Sequence, residues 1–466
     1  MGSVFFGVMA YIAIQFAIGA WMSRRVVSHA DYVLAGRSLG PVLVSFSVFA
    51  TWFGAEALVS NSGTVYKEGL SGSTSDPVGY AAGLILAGVL IAVPLWRRKL
   101  TTFADLFRER YSPGVEKLVV LVLLPGSVFW AAAQIRAFGE IMGSTAGLDV
   151  TTAVVVAAIL VVAYTALGGL LADTWTDLIQ GLAIILGLVV LVGVVAAQGG
   201  AGAGLAKVDP VKMQFFTLGE GGLLAKVEGL AIAICGTVVA VELISRMLGA
   251  RSAQVAAAGT VIGGAMYLAF GFIPVFLGLV GAGLVPNLES ADQIVPKLAE
   301  TYLPGLLYIV FAGAVISAIL STVDSALLAS SAQVSNNLVD RLRPGITDRG
   351  KLIAARVTLV LLAIVAYAFA ATAGNVKELV SMASAAGSAG VFVTVLFALF
   401  TRFGGPVSAY AAIVAGAVVW AGGTYMGWPA PYIAGLAAAF AVYVAAGIAF
   451  PSRESVGRVT PDLSRG

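Results

Sequence analysis

The stretch Ala318-Ile319-Leu320-Ser321-Thr322-Val323-Asp324-Ser325 places hydroxyls and a carboxylate inside the otherwise apolar run 305–334. An ionisable side chain at membrane depth is costly, so it is a functional hypothesis by default. Residues 318, 321 and 322 stand at i, i+3 and i+4, which brings the Ala318 carbonyl and the Ser321 and Thr322 hydroxyls to one helix face. Neutral, hard oxygens gathered that way suit a small alkali cation such as Na⁺ better than a transition metal. The same residues also fit a plainer role, hydroxyls bonding back to helix carbonyls. The motif alone leaves both open.

Such a cluster needs a membrane-spanning scaffold, and the composition supplies one. Hydrophobic residues make up 59% of the 466 and charged residues 11%, against about a quarter charged in a soluble chain. Apolar runs of about 20 residues fall near 3–22, 40–60, 77–95, 116–144, 151–170, 174–198, 224–247, 256–283, 305–334, 351–373, 376–400, 406–426 and 430–450, thirteen candidate spans. The fold class is therefore an all-α polytopic membrane protein. It reads as one transmembrane domain over 1–450 with a tail, 451–466.

Charge placement orients it. Counted over alternate loops and helix ends, one side carries twenty Lys and Arg, including Arg37, Arg97, Arg98, Lys99, Arg246, Arg251, Arg341 and Arg343. The other carries six: Lys67, Lys207, Lys212, Lys226, Lys297 and Lys377. Positive-inside logic puts the C-terminus in the cytoplasm and the N-terminus outside, in a multi-pass plasma (inner) membrane protein. The net charge of +3 thus reflects orientation and makes no case for nucleic acid. The first span lacks a signal-peptide pattern and reads as retained. A lone Cys235 excludes a disulfide framework and a thiolate metal site. His29, the only histidine, lies beside Asp31 in a loop and reads as a solvated surface residue.

Two spans are irregular. Span 40–60 is interrupted by Ser45, Ser47, Thr51, Trp52, Gly54 and Glu56, as expected of a discontinuous helix with unwound carbonyls near mid-membrane. Span 224–247 carries Cys235-Gly236-Thr237 near its middle and Glu242 beyond. Each opens a block of five spans, 40–198 and 224–400, with 406–450 as two extra helices, and paired interruptions in two halves point to a transporter site. Glycines that merely permit close helix packing are the alternative; it leaves Glu56 unexplained.

Two further runs, with the opening stretch, complete the pattern. Gly168-Gly169 precedes Trp175-Thr176-Asp177 and Gln180; Arg246 is followed by Ala250-Arg251-Ser252; and Ser321-Thr322-Val323-Asp324-Ser325 follows later. In that order, and over nearly the whole chain, the sequence resembles the sodium:solute symporter family. The resemblance implies an inverted five-plus-five helix repeat, with one helix before it and two after. It also implies Na⁺ as coupling ion, held by the backbone carbonyls of Ala50, Phe53 and Ala318 and the hydroxyls of Ser321 and Thr322. Asp177 then matches a carboxylate on the cytoplasmic ion-release path, or it caps a helix starting near Thr174.

The solute is less legible. Where sugar carriers of the family place Asn, Gln and Tyr, this chain has Ala57, Ala233 and Gly236, which disfavours a sugar. Near the expected cavity stand Trp52, Glu56, Asp76, Trp130, Gln134, Thr237, Glu242, Ser381, Ser384 and Ser388. Asp76 matches a carboxylate that sugar carriers use for substrate hydroxyls. Carboxylates and Trp around a small cavity suit an ammonium or amide group, so the expected solute is small and nitrogen-containing, such as an amino acid. Trp130 is either a stacking platform or helix packing. Arg136 either grips a substrate carboxylate or pairs with Glu140 one turn away. The rival readings are proton coupling through Glu56, Asp76, Asp177, Asp324 or Glu242, an uncoupled facilitator, and a membrane sensor, which the short tail disfavours. The sequence contains no nucleophile–base set, so an enzyme is not expected.

Overall fold

The structure, a computed structural model, describes residues 28–451 apart from 147–149, 217–221, 289, 344, 374 and 375, with scattered positions between 7 and 26. The expected first span, 3–22, and the tail lie largely or wholly outside the described residues. The helices that build the membrane body are α1 Pro41–Trp52, α2 Asn61–Glu68, α3 Tyr80–Leu90, α4 Pro113–Ala146, α5 Val150–Ala197, α6 Gly222–Val238 and α7 Val241–Gly249. They continue with α8 Ala253–Leu284, α9 Gly305–Gln333, α10 Asp348–Thr372, α11 Val376–Ala385, α12 Ser388–Phe400, α13 Pro406–Tyr425 and α14 Pro431–Ala449. Among the described residues nine helices are long and apolar enough to cross a membrane, and the bent pair Pro41–Trp52 with Glu56–Glu68 makes a tenth.

Local chemistry explains the boundaries. Pro41, Pro406 and Pro431 each sit at the start of a helix, where the missing N–H costs nothing and the fixed φ is already helical. Ser252 and Thr347 cap α8 and α10 by accepting from the N–H groups of Val255 and Gly350. The two apolar runs 151–170 and 174–198 are two helices, together labelled α5, that meet at Gly169, where the backbone leaves the helix (φ 61°, ψ −179°) and the second span begins. A side chain there would be strained and would also press on Tyr32 at 2.8 Å. Thr174 is therefore inside a helix, and a cap at that point is ruled out.

The expected break in span 40–60 is present: α1 ends at Trp52 and the chain resumes after a 54° bend. The second break falls later than expected. Cys235, Gly236 and Thr237 remain helical, and the interruption is at Val239–Ala240, where Ala240 is extended (φ −65°, ψ 126°). Helix α9 is enclosed, with every residue from Phe311 to Gln333 buried, against α1, α4, α5 and α10. That enclosure is what lets its hydroxyls and Asp324 lie at membrane depth without facing lipid.

Helix α14 is held from elsewhere in the chain. Buried Glu228 on α6 accepts from the N–H groups of Tyr432 (2.6 Å) and Ile433 (2.9 Å), two of the donors a helix N-terminus leaves unpaired. The short helix His29–Leu34 overturns another expectation. His29 is only 5% exposed; its backbone N–H donates to Asp348 Oδ2 (3.3 Å) and its ring Nε2 lies 3.4 Å from Ser335 Oγ. The helix is opened by a Ser28–Asp31 capping box.

Two outcomes follow. Glu228→Ala should lower the unfolding free energy by about 2–3 kcal/mol, because hydrogen bonds to one buried and one half-buried backbone donor are lost, read as a drop in thermal midpoint in detergent. Burial, then the Lys351 charge, lowers the His29 pKa from 6.5, against smaller opposing effects of Asp348 and Asp340. The unfolded chain therefore binds a proton first as pH falls, so stability is full above pH 6.5 and declines through the lowered pKa. His29→Gln should flatten that decline in unfolding scans between about pH 7.5 and 5.

Candidate functional site

The break after α1 frees oxygen atoms. At Phe53 the backbone leaves the helix (φ −84°, ψ 59°), and the Gly54 N–H turns to Trp52 O at 2.9 Å instead of Ala50 O. The Thr322 hydroxyl of α9 takes up that position, 3.4 Å from Ala50 O and 3.1 Å from Ala318 O. One proton shared between two carbonyls leaves lone pairs on both. Ser321 donates its hydroxyl to Asp177 Oδ1, so its own lone pairs remain available as well. Space is limiting: a Cβ on Gly54 would fall 2.5 Å from Thr322 Oγ1 and 2.6 Å from Gln134 Oε1. Carbonyl and hydroxyl oxygens converging in a site too tight for a methyl fit a small, hard monovalent cation. Of the five expected cation ligands, the structure thus groups Ala50, Ala318 and Thr322 directly, with Ser321 adjacent on the helix and Phe53 at the break.

Beneath this cradle lies a buried ionic network that sequence reasoning missed. Arg246, counted above among the orientation charges, is 0% exposed and does not belong with them. Its guanidinium pairs with Asp173 and, at 3.5 Å, with Asp177, donates to Ser47 Oγ (3.0 Å) and Glu242 O (3.0 Å), and bonds Ser325. Asp177 also accepts from Ser47, so it joins α1, α5, α7 and α9. The available signal was the Asp173/Asp177 spacing: two carboxylates four residues apart on one buried face require a cation.

The expected solute residues divide between two compartments. Trp52, Trp130, Thr237 and Ser384, with Glu242 and Tyr80, line an inner cavity of about 60 Å³. Its aromatic wall brings Trp52 and Trp130 to 6.4 Å, and Tyr80 to 6.4 Å from Trp130 in an edge-on arrangement. Glu242 accepts from Ser127 at 2.6 Å. Glu56, Asp76 and Ser381 instead line a wider vestibule of about 660 Å³. Gln134 lines neither compartment; its Oε1 accepts from Ala55 N at 2.8 Å and stitches the broken helix. Ser388 lines the inner cavity, and its hydroxyl is engaged with Tyr432 at 2.8 Å. Arg136 pairs with Glu140 at 2.9 Å, which settles its two readings in favour of the intrahelical pair.

A many-helix membrane body with a broken helix against a hydroxyl-bearing one defines a carrier. The sequence model of the sodium:solute symporter family matches residues 32–416, and the chain belongs to that family. It is accordingly a transporter rather than an enzyme, with Na⁺ as its coupling ion. It is 24% identical to the high affinity choline transporter 1 of Homo sapiens, over 88% of this chain and 74% of that one. It is 26% identical to the sodium/pantothenate symporter of Escherichia coli (strain K12), over 76% of each. Its fold matches the substrate-bound outward-open state of a Na⁺-coupled sialic acid symporter with a TM-score of 0.81, at 15% identity, over 97% of this chain and 98% of the other.

The network makes a specific demand on stability. Arg246→Met strands two buried carboxylates and should cost about 3–5 kcal/mol, measured as a fall in thermal midpoint. Adding Asp173→Asn and Asp177→Asn to that variant should recover most of the loss.

Proposed function

We propose that this protein imports a small organic solute bearing an ammonium group, preferably a quaternary one, together with Na⁺. The carrying observation is the inner cavity, where Trp52, Tyr80 and Trp130 converge with Glu242 directly against the broken helix. Aromatic faces attract a desolvated cation by about 2 kcal/mol or more, and a carboxylate adds charge pairing. An amino acid fits less well, because among the described residues no Lys or Arg lines this cavity to hold an α-carboxylate and Arg136 is paired away. The same lack weighs against an anionic solute such as pantothenate. The choline carriers among the relatives support the ammonium reading.

In this reading the chain has thirteen spans in an inverted repeat, with the N-terminus outside and the C-terminus in the cytoplasm. Na⁺ is held by the Ala50, Phe53 and Ala318 carbonyls and the Ser321 and Thr322 hydroxyls, and Asp177 lies on its exit path to the cytoplasm. Bound there, the ion bridges α1 and α9 and favours the arrangement in which the two meet, shifting the equilibrium only by its differential affinity for the two states. The membrane potential adds about 2.3 kcal/mol per charge per 100 mV to uptake.

Reconstituted protein tests this directly. Tritiated choline should accumulate in proteoliposomes only under an inward Na⁺ gradient. Ser321→Ala/Thr322→Ala should raise the half-saturating Na⁺ concentration about ten-fold or more, equivalent to about 1.4 kcal/mol per decade. Uptake driven equally by a proton gradient in K⁺, or indifferent to the double variant, would refute the sodium assignment. Uptake of amino acids but not choline would refute the ammonium reading.

A further inference from the structure

We infer that the outer vestibule is a second binding station for the solute's ammonium group, formed by Glu56 and Asp76 and divided from the aromatic cavity by Tyr80. The inference rests on the solute being an ammonium. Three observations carry it.

The first is unspent hydrogen-bonding capacity. Asp76 is 5% exposed; its Oδ1 accepts from Tyr267 at 2.7 Å, while Oδ2, on the vestibule wall, has no partner among the described residues. Glu56 Oε2 is likewise buried without a partner. A buried carboxylate oxygen left bare is expensive, and a positively charged guest is the chemistry that satisfies it. The bare oxygens are acceptors, which disfavours an anionic guest, and a cation adds a charge pairing that a neutral polyol lacks.

The second is the order of charges along the vestibule. Its two lysines are engaged elsewhere: Lys377 pairs with Glu68 at 3.7 Å, and Lys226 donates to the Ser71 carbonyl. Glu56 and Asp76 form no ion pair among the described residues. With Lys377 paired to Glu68, the wall sets two acidic residues, Glu56 and Asp76, against one remaining lysine, Lys226, and this acidic excess on a concave surface favours cations.

The third is the partition. Tyr80 is the one residue common to the linings of the vestibule and the inner cavity. Its hydroxyl lies 3.1 Å from Ser384 Oγ and its ring stands edge-on to Trp130. The two spaces differ about tenfold in volume, 660 against 60 Å³. A hydrated ammonium fits the outer space with its water; the inner one accepts it only after dehydration, where the aromatic faces replace that water. Because neither outer carboxylate hydrogen-bonds to the α1–α9 cradle among the described residues, binding at this station does not require Na⁺.

Scintillation-proximity binding of tritiated choline to the purified full-length protein tests the inference. In low-salt, Na⁺-free potassium buffer the wild type should show a weak component that falls as ionic strength rises. Trp52→Ala/Trp130→Ala should retain it, and Glu56→Gln/Asp76→Asn should weaken it about ten-fold or more, with circular dichroism and gel filtration reporting folding. If the carboxamide pair does not fold, 3,3-dimethylbutanol, the uncharged isostere of choline, decides on the wild type: it should fail to displace this component. Absence of the Na⁺-independent component, its survival in the carboxamide pair, or its displacement by the neutral isostere would overturn the station. A Na⁺-dependent component present without it would leave the proposed function standing and remove the station alone. The weak component present without any Na⁺-dependent one would do the reverse.

Discussion

A backbone carbonyl that has lost its amide cannot remain bare in a membrane interior, and at Ala50 that constraint organises the molecule. Leaving such a group unpaired costs roughly 2–7 kcal/mol, and lipid supplies no water to relieve it. The chain meets the demand with side chains from other helices. Thr322 of α9 approaches Ala50 O, and Gln134 of α4 accepts from Ala55 N on the far side of the break. The unwound segment thereby fixes α1, α4 and α9 relative to one another. The same shortage of donors leaves lone pairs over, and the proposed cation site is built on them.

The ionic network below extends this logic to charge. Two carboxylates, Asp173 and Asp177, share the single guanidinium of Arg246. Buried pairs of this kind contribute little net stability, yet breaking one is costly because the remaining charge is stranded. Their value here is geometric. Asp177 receives the Ser321 hydroxyl, so the network sets the direction in which a cradle residue offers its lone pairs. Ser47, from α1, and Ser325, from α9, bond the same cluster. An ion in the cradle and the charges beneath it therefore act on one set of contacts between two helices, which is the arrangement a coupled carrier needs.

The two compartments divide along similar lines. Aromatic rings that favour a dehydrated cation gather in the narrow cavity, and carboxylates that favour a hydrated one face the wide vestibule. Tyr80 stands between them, and its ring and hydroxyl bind it to Trp130 and Ser384 on α4 and α11.

Much of this protein was readable from composition and local spacing. Apolar runs marked most of the spans, because hydrocarbon tolerates only segments that satisfy their own backbone. The hydroxyl run of α9 and the interruption at Trp52–Glu56 stood out for the same reason: polar groups at that depth are expensive and do not persist without a use. Long-range pairing was not readable. Arg246 meets Asp173, 73 residues away, and Ser321 meets Asp177, 144 residues away. Periodicity places a residue on a face but does not say which neighbour that face will touch. His29 looked like a loop residue until α10 and the turn after α9 closed over it, and Gln134 looked like a solute ligand until the break in α1 claimed it. The sequence by itself determined which groups had to find partners in a low-dielectric interior; the tertiary structure alone decided which partners they found, because that choice depends on helix packing between distant segments.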